Sequence, residues 1–210
     1  MNKRGRVFWA ALLSVALLDT ASYAEGGRTY VASQAGMFLP LESAVNLEPA
    51  GQQGRLSYNP GLVLTAAGGY EFTNGVRGEV ELNFRRLTAD KLYSSGAPVQ
   101  VDADIWSYGA LANAYYDIRT PTAVTPFLGA GLGFAVVHYG RGSSGGSTLW
   151  AAGLEKSLAY QGCAGFAIAL NNRTTLDFVY RHYATPSLHF DTIHSQYKGI
   201  NLSTGLRYRF

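Results

Sequence analysis

The chain has one cysteine, few charged residues and, after residue 25, no long apolar run. The single cysteine, Cys163, excludes an intramolecular disulfide, and its neighbours Gly162 and Ala164 favour a space-filling role over a reactive thiol. No apolar run after residue 25 approaches the ~18 residues of a membrane-spanning helix. These absences leave folds without internal cross-links and without helical spans.

Charge is scarce as well as balanced. Charged residues make up 15% of the chain, against about 25% in ordinary soluble domains. The formal net charge of +3 becomes +1 without the first 24 residues, because 17 − 3 basic and 14 − 1 acidic residues then remain. No polycationic surface is left, so we expect no nucleic-acid partner. Tyrosine and glycine are instead plentiful, at 14 and 25 residues, which is typical of a membrane barrel.

The first 24 residues have the pattern of an export signal. Basic residues come first, an apolar segment covers 7–18, and small residues at 22–24 provide a cleavage site. We expect a signal peptide at 1–24 and cleavage before Glu25, which leaves 25–210 as one domain. The alternative is an uncleaved anchor, but the apolar segment is short for a membrane span.

The last stretch, residues 198–210, has one apolar and one polar side. Side chains along a strand alternate with period two, so Leu206, Tyr208 and Phe210 share one side. Arg207 and Arg209 share the other. In a soluble sheet the apolar side would face a core, whereas in an outer-membrane barrel it would face lipid and the polar side would line the lumen. Alternation alone leaves both interpretations open.

Seven further segments alternate in the same way, which predicts eight strands. The eight strands cover about 29–39, 61–72, 76–85, 104–118, 126–137, 158–170, 174–183 and 198–210. The connections after the second, fourth and sixth strands are short, and the others are long, at about 40–60, 88–103, 138–157 and 184–196. Alternate connections of an up-and-down barrel lie at the same end, and this asymmetry is that of outer-membrane barrels. The sequence thus predicts an all-β, eight-stranded antiparallel up-and-down transmembrane β-barrel.

The same alternation places ten charged side chains in the lumen, namely Glu71, Arg77, Glu79, Glu81, Arg85, Asp117, Asp177, Arg181, Arg207 and Arg209. Five are acids and five are bases, and an eight-stranded barrel is narrow enough to be filled by its own side chains. We predict a charge-balanced polar network, because an unpaired buried charge costs several kcal/mol. The alternative is a proton or ion path, which would make the barrel a narrow channel.

Histidines and serines near one rim raise the question of catalysis. His182, His189 and His194 lie close to Ser187 and Ser195, and a nucleophile–base pair there would make an esterase acting on outer-membrane lipid. No Gly-x-Ser-x-Gly elbow is present, and the histidine spacings of seven and five match no compact metal-ligand pattern. We predict no enzyme and no catalytic, cofactor-binding or metal site, with the rim esterase as the alternative.

Seven segments, taken in order, carry a resemblance to a known family: Tyr30–Gly36, Gly68–Gly75, Asn113–Asp117, Pro126–Gly133, Leu158–Gln161, Leu176–Arg181 and Tyr208–Phe210. Together they resemble the eight-stranded outer-membrane β-barrel superfamily, which includes the OmpA transmembrane domain and small porin-like surface antigens. The resemblance covers nearly all of 25–210 and implies the bacterial outer membrane. It also implies that Leu206, Tyr208 and Phe210 form the signal read by the barrel-assembly machinery. We expect no OmpA-type cell-wall domain after Phe210.

The expected function is non-enzymatic, structural or in surface interaction through four long extracellular loops. Arg55, Tyr93, Trp150 and Phe190 are the loop residues expected to contact a partner, because aromatic residues and arginine dominate binding hot spots. Resting on the rim or at the membrane interface is the alternative for them. The expected partners are outer-membrane lipid, lipopolysaccharide, the assembly machinery and an extracellular ligand.

Overall fold

The structure, a computed structural model, describes residues 26–41, 43–47, 52–93, 98–101, 103–144, 147–190 and 193–210. No helix in these ranges is long and apolar enough to cross a membrane. Thirteen strands account for most of the described residues: β1 (Arg28–Pro40), β2 (Ser43–Leu47), β3 (Gln52–Tyr58), β4 (Gly61–Glu71), β5 (Val76–Tyr93), β6 (Val99–Gln100), β7 (Asp104–Asp117), β8 (Val124–Tyr139), β9 (Gly142–Ser144), β10 (Ser147–Trp150), β11 (Gly153–Ala169), β12 (Thr174–Phe190) and β13 (Ile193–Arg209).

Eight long strands close into one antiparallel barrel. In order around the wall they are β1, β4, β5, β7, β8, β11, β12 and β13, and β13 closes the ring by pairing with β1. Each strand lies beside the next one in the chain, which is the up-and-down arrangement. The predicted fold class is confirmed.

The register of the strands sets the width of the barrel. Paired residues can be followed around the wall from Val76 on β5 back to β5 at Arg86, ten residues further along that strand. The path runs through Tyr116, Leu128, Ala164, Tyr180, Leu202, Met37 and Leu62. Such a stagger tilts the strands against the barrel axis, and eight tilted strands enclose a space just wide enough for side chains.

Polar and apolar residues are distributed inside out relative to a soluble protein. Phe134 and Val80 on the outer face are 69% and 63% exposed, whereas Arg85 and Glu81 inside the barrel are fully enclosed. Along β7 buried and exposed positions alternate almost without interruption. An apolar outer face around a charged interior is stable only where hydrocarbon replaces water outside, which decides between the two interpretations of the alternation.

The short connections lie where the sequence predicts them, but the long ones are shorter than expected, since β12 ends at Phe190 and β13 begins at Ile193. Short turns join β4 to β5, β7 to β8 and β11 to β12 at one end of the barrel, called here the short-turn end. At the opposite, long-connection end, much of what was predicted as loop is strand. For example, β5 continues to Tyr93 instead of ending near 85, and β12 and β13 pair as far as Phe190 and Ile193.

The strands of the first long connection extend the barrel wall. The predicted loop at 40–60 contains β2 and β3, which pair with each other, with β13 and with β5. The prediction of a loop over all of 40–60 was wrong because a strand need not end where the apolar band ends. Continued pairing satisfies the backbone hydrogen-bonding groups of both strands beyond that point.

Gly75 lies in the turn between β4 and β5 at the short-turn end. Its φ is +88°, and a Cβ built on it would lie 2.9 Å from the backbone oxygen of Asp117. We expect Gly75→Ala to lower the free energy of unfolding by about 1–2 kcal/mol, because L-residues are disfavoured at positive φ. Urea titration in detergent micelles checks this. Gly68→Ala is the matched control, because a Cβ there meets no atom within 4 Å; equal losses in both variants would contradict the argument.

Candidate functional site

The interior nearest the short turns contains paired charges. Arg77 donates from Nε to both oxygens of Asp117, at 2.9 and 2.8 Å. Arg207 donates from Nε and Nη2 to the two oxygens of Asp177, at 3.1 and 3.0 Å. The second pair has the two-point geometry for which the guanidinium group is suited. Both ion pairs are enclosed, so their charges are neutralised locally rather than by water.

A small cavity lies at the mouth of the barrel on the same side. Its volume is about 130 Å³, and Arg209 and Glu71 on its wall form an ion pair with Nε 2.7 Å from Oε2. The side chains of this pair remain 17% and 28% exposed, so water reaches them. The interior is therefore open to solvent at the short-turn end and closes above the first layer of ion pairs.

Glu81 lies at the centre of the lumen and is fully buried. Arg181 Nη2 lies 3.4 Å from its Oε2. The side-chain amides of Asn83, Asn113 and Gln161 also donate to its carboxylate, at 3.0, 3.3 and 3.4 Å. These amide donors replace the hydrogen bonds to water that the carboxylate loses when it is buried.

Glu79 is held mainly by neutral donors. The hydroxyl of Tyr30 donates to its Oε2 at 2.9 Å, Asn113 donates to its Oε1 at 3.2 Å, and the hydroxyl of Tyr115 donates to Oε1 at 3.4 Å. The rings of Tyr30 and Tyr115 also lie beside the guanidinium of Arg77, at 5.8 and 4.5 Å from centroid to Cζ. Tyrosine therefore links the acids and bases of the lower lumen.

Arg85 lies two inward positions beyond Glu81 along β5, and different groups surround its charge. Its Nη1 donates to Asn83 Oδ1 at 2.6 Å, and its Nε donates to Asn201 Oδ1 at 3.4 Å. Its guanidinium lies over the ring of Tyr183, 3.7 Å from the centroid, and 5.7 Å from that of Phe38. A cation over an aromatic face is stabilised most where water is excluded, so Arg85 marks the change from a polar to an apolar interior.

Apolar side chains fill the lumen above Arg85. We call this group the apolar closure; it consists of Phe38, Val63, Leu87, Ile105, Val137, Tyr139, Tyr183 and Tyr197. The rings of Phe38 and Tyr197 pack 5.4 Å apart, and those of Tyr183 and Tyr197 pack 6.1 Å apart. The sequence prediction missed the closure because it placed Leu87, Tyr139 and Tyr197 outside the strands and considered only charged residues for the lumen. The signal was the inward register of β5, which continues from Arg85 to Leu87 and Ala89.

The predicted lumen residues all lie inside the barrel or at its mouth. Eight of the ten are enclosed in the barrel, with exposed fractions of 0–8%, and Glu71 and Arg209 lie at the mouth. The predicted assembly residues Leu206, Tyr208 and Phe210 are on the outer face, 49%, 38% and 64% exposed. The residues 1–25, which include the predicted signal peptide, lie outside the described residues.

The four predicted loop contacts all lie in strands rather than in loops, which corrects their placement. Tyr93 ends β5 and is 41% exposed. Arg55 belongs to β3, while Trp150 and Phe190 are the last residues of β10 and β12. The error has the same cause as the strand lengths, since pairing continues beyond the apolar band.

The register also tests the arrangement needed for a rim esterase. His189 pairs with His194 across the β12–β13 hairpin, while Ser195 pairs with Leu188 and Ser187 pairs with Gln196. A serine and two histidines are thus only two register positions apart on this hairpin. Elsewhere, Cys163 is buried beside Tyr115 and Phe127. In the described ranges, histidine, cysteine and acidic residues form no cluster that could hold a metal ion.

A closed barrel with an apolar outer face and a polar, largely filled lumen defines an integral membrane β-barrel. The family model described as outer membrane protein beta-barrel domain matches residues 8–210, and the chain belongs to this family. The predicted bacterial outer-membrane location is confirmed with it. No curated protein sequence is significantly similar to the chain.

Solved structures show the same fold. Neisserial surface protein A is 23% identical with a TM-score of 0.55, over 89% of this chain and 100% of its own. OprG from Pseudomonas aeruginosa is 15% identical with a TM-score of 0.63, over 89% and 97%. The outer membrane protease OmpT from Escherichia coli is 7% identical with a TM-score of 0.52, over 91% and 99%. At these identities the likeness shows the barrel fold alone.

Proposed function

We propose that the protein is a non-enzymatic barrel of the outer membrane, with a structural or surface-interaction role and a closed lumen. The observation that carries this proposal is the filling of the interior. Paired charges occupy the lower lumen, Arg85 and its amide partners lie above them, and the apolar closure occupies the top. A diffusion channel of the porin type requires more strands and leaves water along the whole axis.

We also propose that the long-connection end faces outward and the short turns face the periplasm. This orientation is general among outer-membrane barrels. The strands support a surface role, because β5 has 18 residues and about 9–11 residues are enough to cross a bilayer. The excess forms a rigid wall above the membrane, and Tyr93 at its upper edge is available to an extracellular ligand.

The outer face of the barrel supports the other proposed partners. The apolar outer band contacts membrane lipid, and lipopolysaccharide would cover the band on its outward-facing side. Leu206, Tyr208 and Phe210 lie at the end of β13 on the outer face, where the assembly machinery could read them before the barrel inserts.

The closed lumen predicts an electrically silent protein. We expect no conductance steps when the purified protein is inserted into a planar bilayer, because a chain of ion pairs and the apolar closure leave no continuous water path. A porin in the same bilayer provides the positive control. Regular steps from the unmodified protein would contradict the proposal and favour the narrow channel.

A matched variant locates the barrier. Phe38 and Tyr183 are both fully buried and both lie beside Arg85. Replacing both with alanine opens the closure without removing a charge. Conductance steps that arise only in this double variant would show that the closure is what blocks ion flow.

A further inference from the structure

A group of aromatic and basic residues crosses four neighbouring strands on the outer face. We call it the outer-rim patch; it consists of Phe84, Arg86, Trp106, Tyr108, His138 and Lys156. Arg86 pairs with Trp106, which pairs with His138, so β5, β7 and β8 form one continuous row. One step lower, Phe84 pairs with Tyr108, and Val136 links Tyr108 to Lys156 on β11. The patch lies toward the long-connection end, next to the apolar band.

Stacked rings give the patch a fixed shape. The ring of Trp106 stacks on that of His138, with centroids 4.4 Å apart and planes 28° apart. Trp106 also packs edge-on against Tyr108 at 5.5 Å, and Tyr108 lies 5.2 Å from Phe84. Three strands thus support a continuous aromatic surface. Aromatic rings of this kind lie at the level of lipid head groups in membrane proteins.

The two cations at the edges of the patch are both accessible to a ligand. Lys156 is exposed. Arg86 has Asp104 as its acidic neighbour, but Nη2 lies 3.4 Å from the carboxylate and both side chains are more than half exposed. An exposed ion pair of this kind is weak, so a phosphate could displace it. Strands are spaced about 4.8 Å apart, which puts β5 and β11 roughly 14 Å from each other.

We infer that the outer-rim patch binds the phosphorylated sugar head group of a single glycolipid of the outer leaflet, of the lipid A class. Arg86 and Lys156 would hold phosphates at two ends of the head group, while the aromatic surface between them would pack against sugar rings and the first acyl carbons. Guanidinium is suited to phosphate by its fork of donors. We choose this class of lipid because the two cations complement two phosphates and because the patch lies beside the apolar band, at the level expected for lipid head groups. The inference rests on the outward orientation proposed above.

The test uses lipid binding to the whole protein in nanodiscs of phosphatidylcholine. Trp106 is a reporter inside the patch, and Trp150→Phe removes the other tryptophan of residues 25–210. In this background we expect the fluorescence of Trp106 to change, and the change to saturate, as lipid A with two phosphates is added. The same lipid without phosphates should bind about tenfold more weakly, and the double variant Arg86→Gln, Lys156→Gln should lose affinity by a similar factor, because contacts between exposed cations and phosphates are individually weak.

A charge-matched variant separates a site from general attraction. Arg28 and Arg173 are exposed at the short-turn end, and Arg28→Gln, Arg173→Gln should leave the affinity unchanged. Equal loss in both double variants, or equal binding of the two lipids, would overturn the inference. All variants should keep the heat-dependent gel shift of a folded barrel.

The orientation is measured independently. A cysteine placed at Ser143, in a Cys163→Ala background, reports from the long-connection end. Labelling by an impermeant maleimide on intact cells would support the orientation. Failure to label would overturn the proposed orientation, and with it the outer-leaflet source of the lipid, whereas failure of the titration alone would overturn the binding site.

Discussion

Replacing Arg77 with alanine should lower the free energy of unfolding by about 3–5 kcal/mol, because removing one partner of a buried ion pair leaves a charge without compensation. Arg77 is 2% exposed, and both of its hydrogen bonds to Asp117 are shorter than 3 Å. It also lies over the rings of Tyr115 and Phe127, at 4.5 and 5.1 Å from the centroids. The variant therefore removes an ion pair and aromatic contacts together.

The loss of stability in Arg77→Ala is limited by a second cation near Asp117. Arg207 Nη1 lies 3.8 Å from Asp117 and retains part of the compensation, so the barrel should still fold. Urea unfolding in detergent micelles, followed by the heat-dependent gel shift, measures the difference.

Arg86→Ala is the matched control on the same strand. Arg86 is exposed on the opposite face, and its pair with Asp104 should contribute about 0–1 kcal/mol. If both arginine variants lose the same stability, the interior charges are solvated and the lumen is not a closed network. This outcome would also remove the basis for a silent barrel.

Placing an arginine on the outer face at Leu206 should cost about 2–4 kcal/mol, the range for a cation at the bilayer midplane. Leu206 is 49% exposed on the outer face, two outward positions from Phe210, and pairs with Ser33 and Leu176. The apolar surface there contacts hydrocarbon, which cannot solvate a guanidinium group. Reversible folding into phospholipid vesicles gives the free energy directly.

A position closer to the edge of the apolar band provides the control for this variant. Ile118 is also exposed, at 42%, but it follows β7 at the short-turn end. Ile118→Arg should cost about 0–1 kcal/mol, because penalties fall toward the interface. An unchanged stability for Leu206→Arg, or equal costs at the two sites, would mean that the outer face of β13 does not contact hydrocarbon.

The interior shows how far a linear pattern can predict a site. Period-two alternation assigns a side chain to the inner or outer face without reference to any other strand, so Glu81 and Arg181 could both be placed in the lumen. Their ion pair could not be predicted, since β5 and β12 are not adjacent in the wall. Which acid meets which base depends on the stagger of all eight strands.

The outer-rim patch shows the same limit on the outer face. The alternation places Trp106 and His138 outward, but their stack requires β7 and β8 to pair in the observed register. Strand ends were predicted least well, as β5 shows, because the polar residues beyond the apolar band resemble loops. Their backbone pairing is decided by the neighbouring strand.

By itself, the sequence determined the number of barrel strands, the face on which most side chains lie and the end at which the long connections gather. These properties follow from local periodicity and turn chemistry, which act within a single strand or hairpin. Tertiary structure alone decided the ion-pair partners, the apolar closure beside Arg85 and the wall that continues above the membrane. The physical reason is that each of these depends on contacts between strands distant in sequence, whose heights are set by the closure of the barrel.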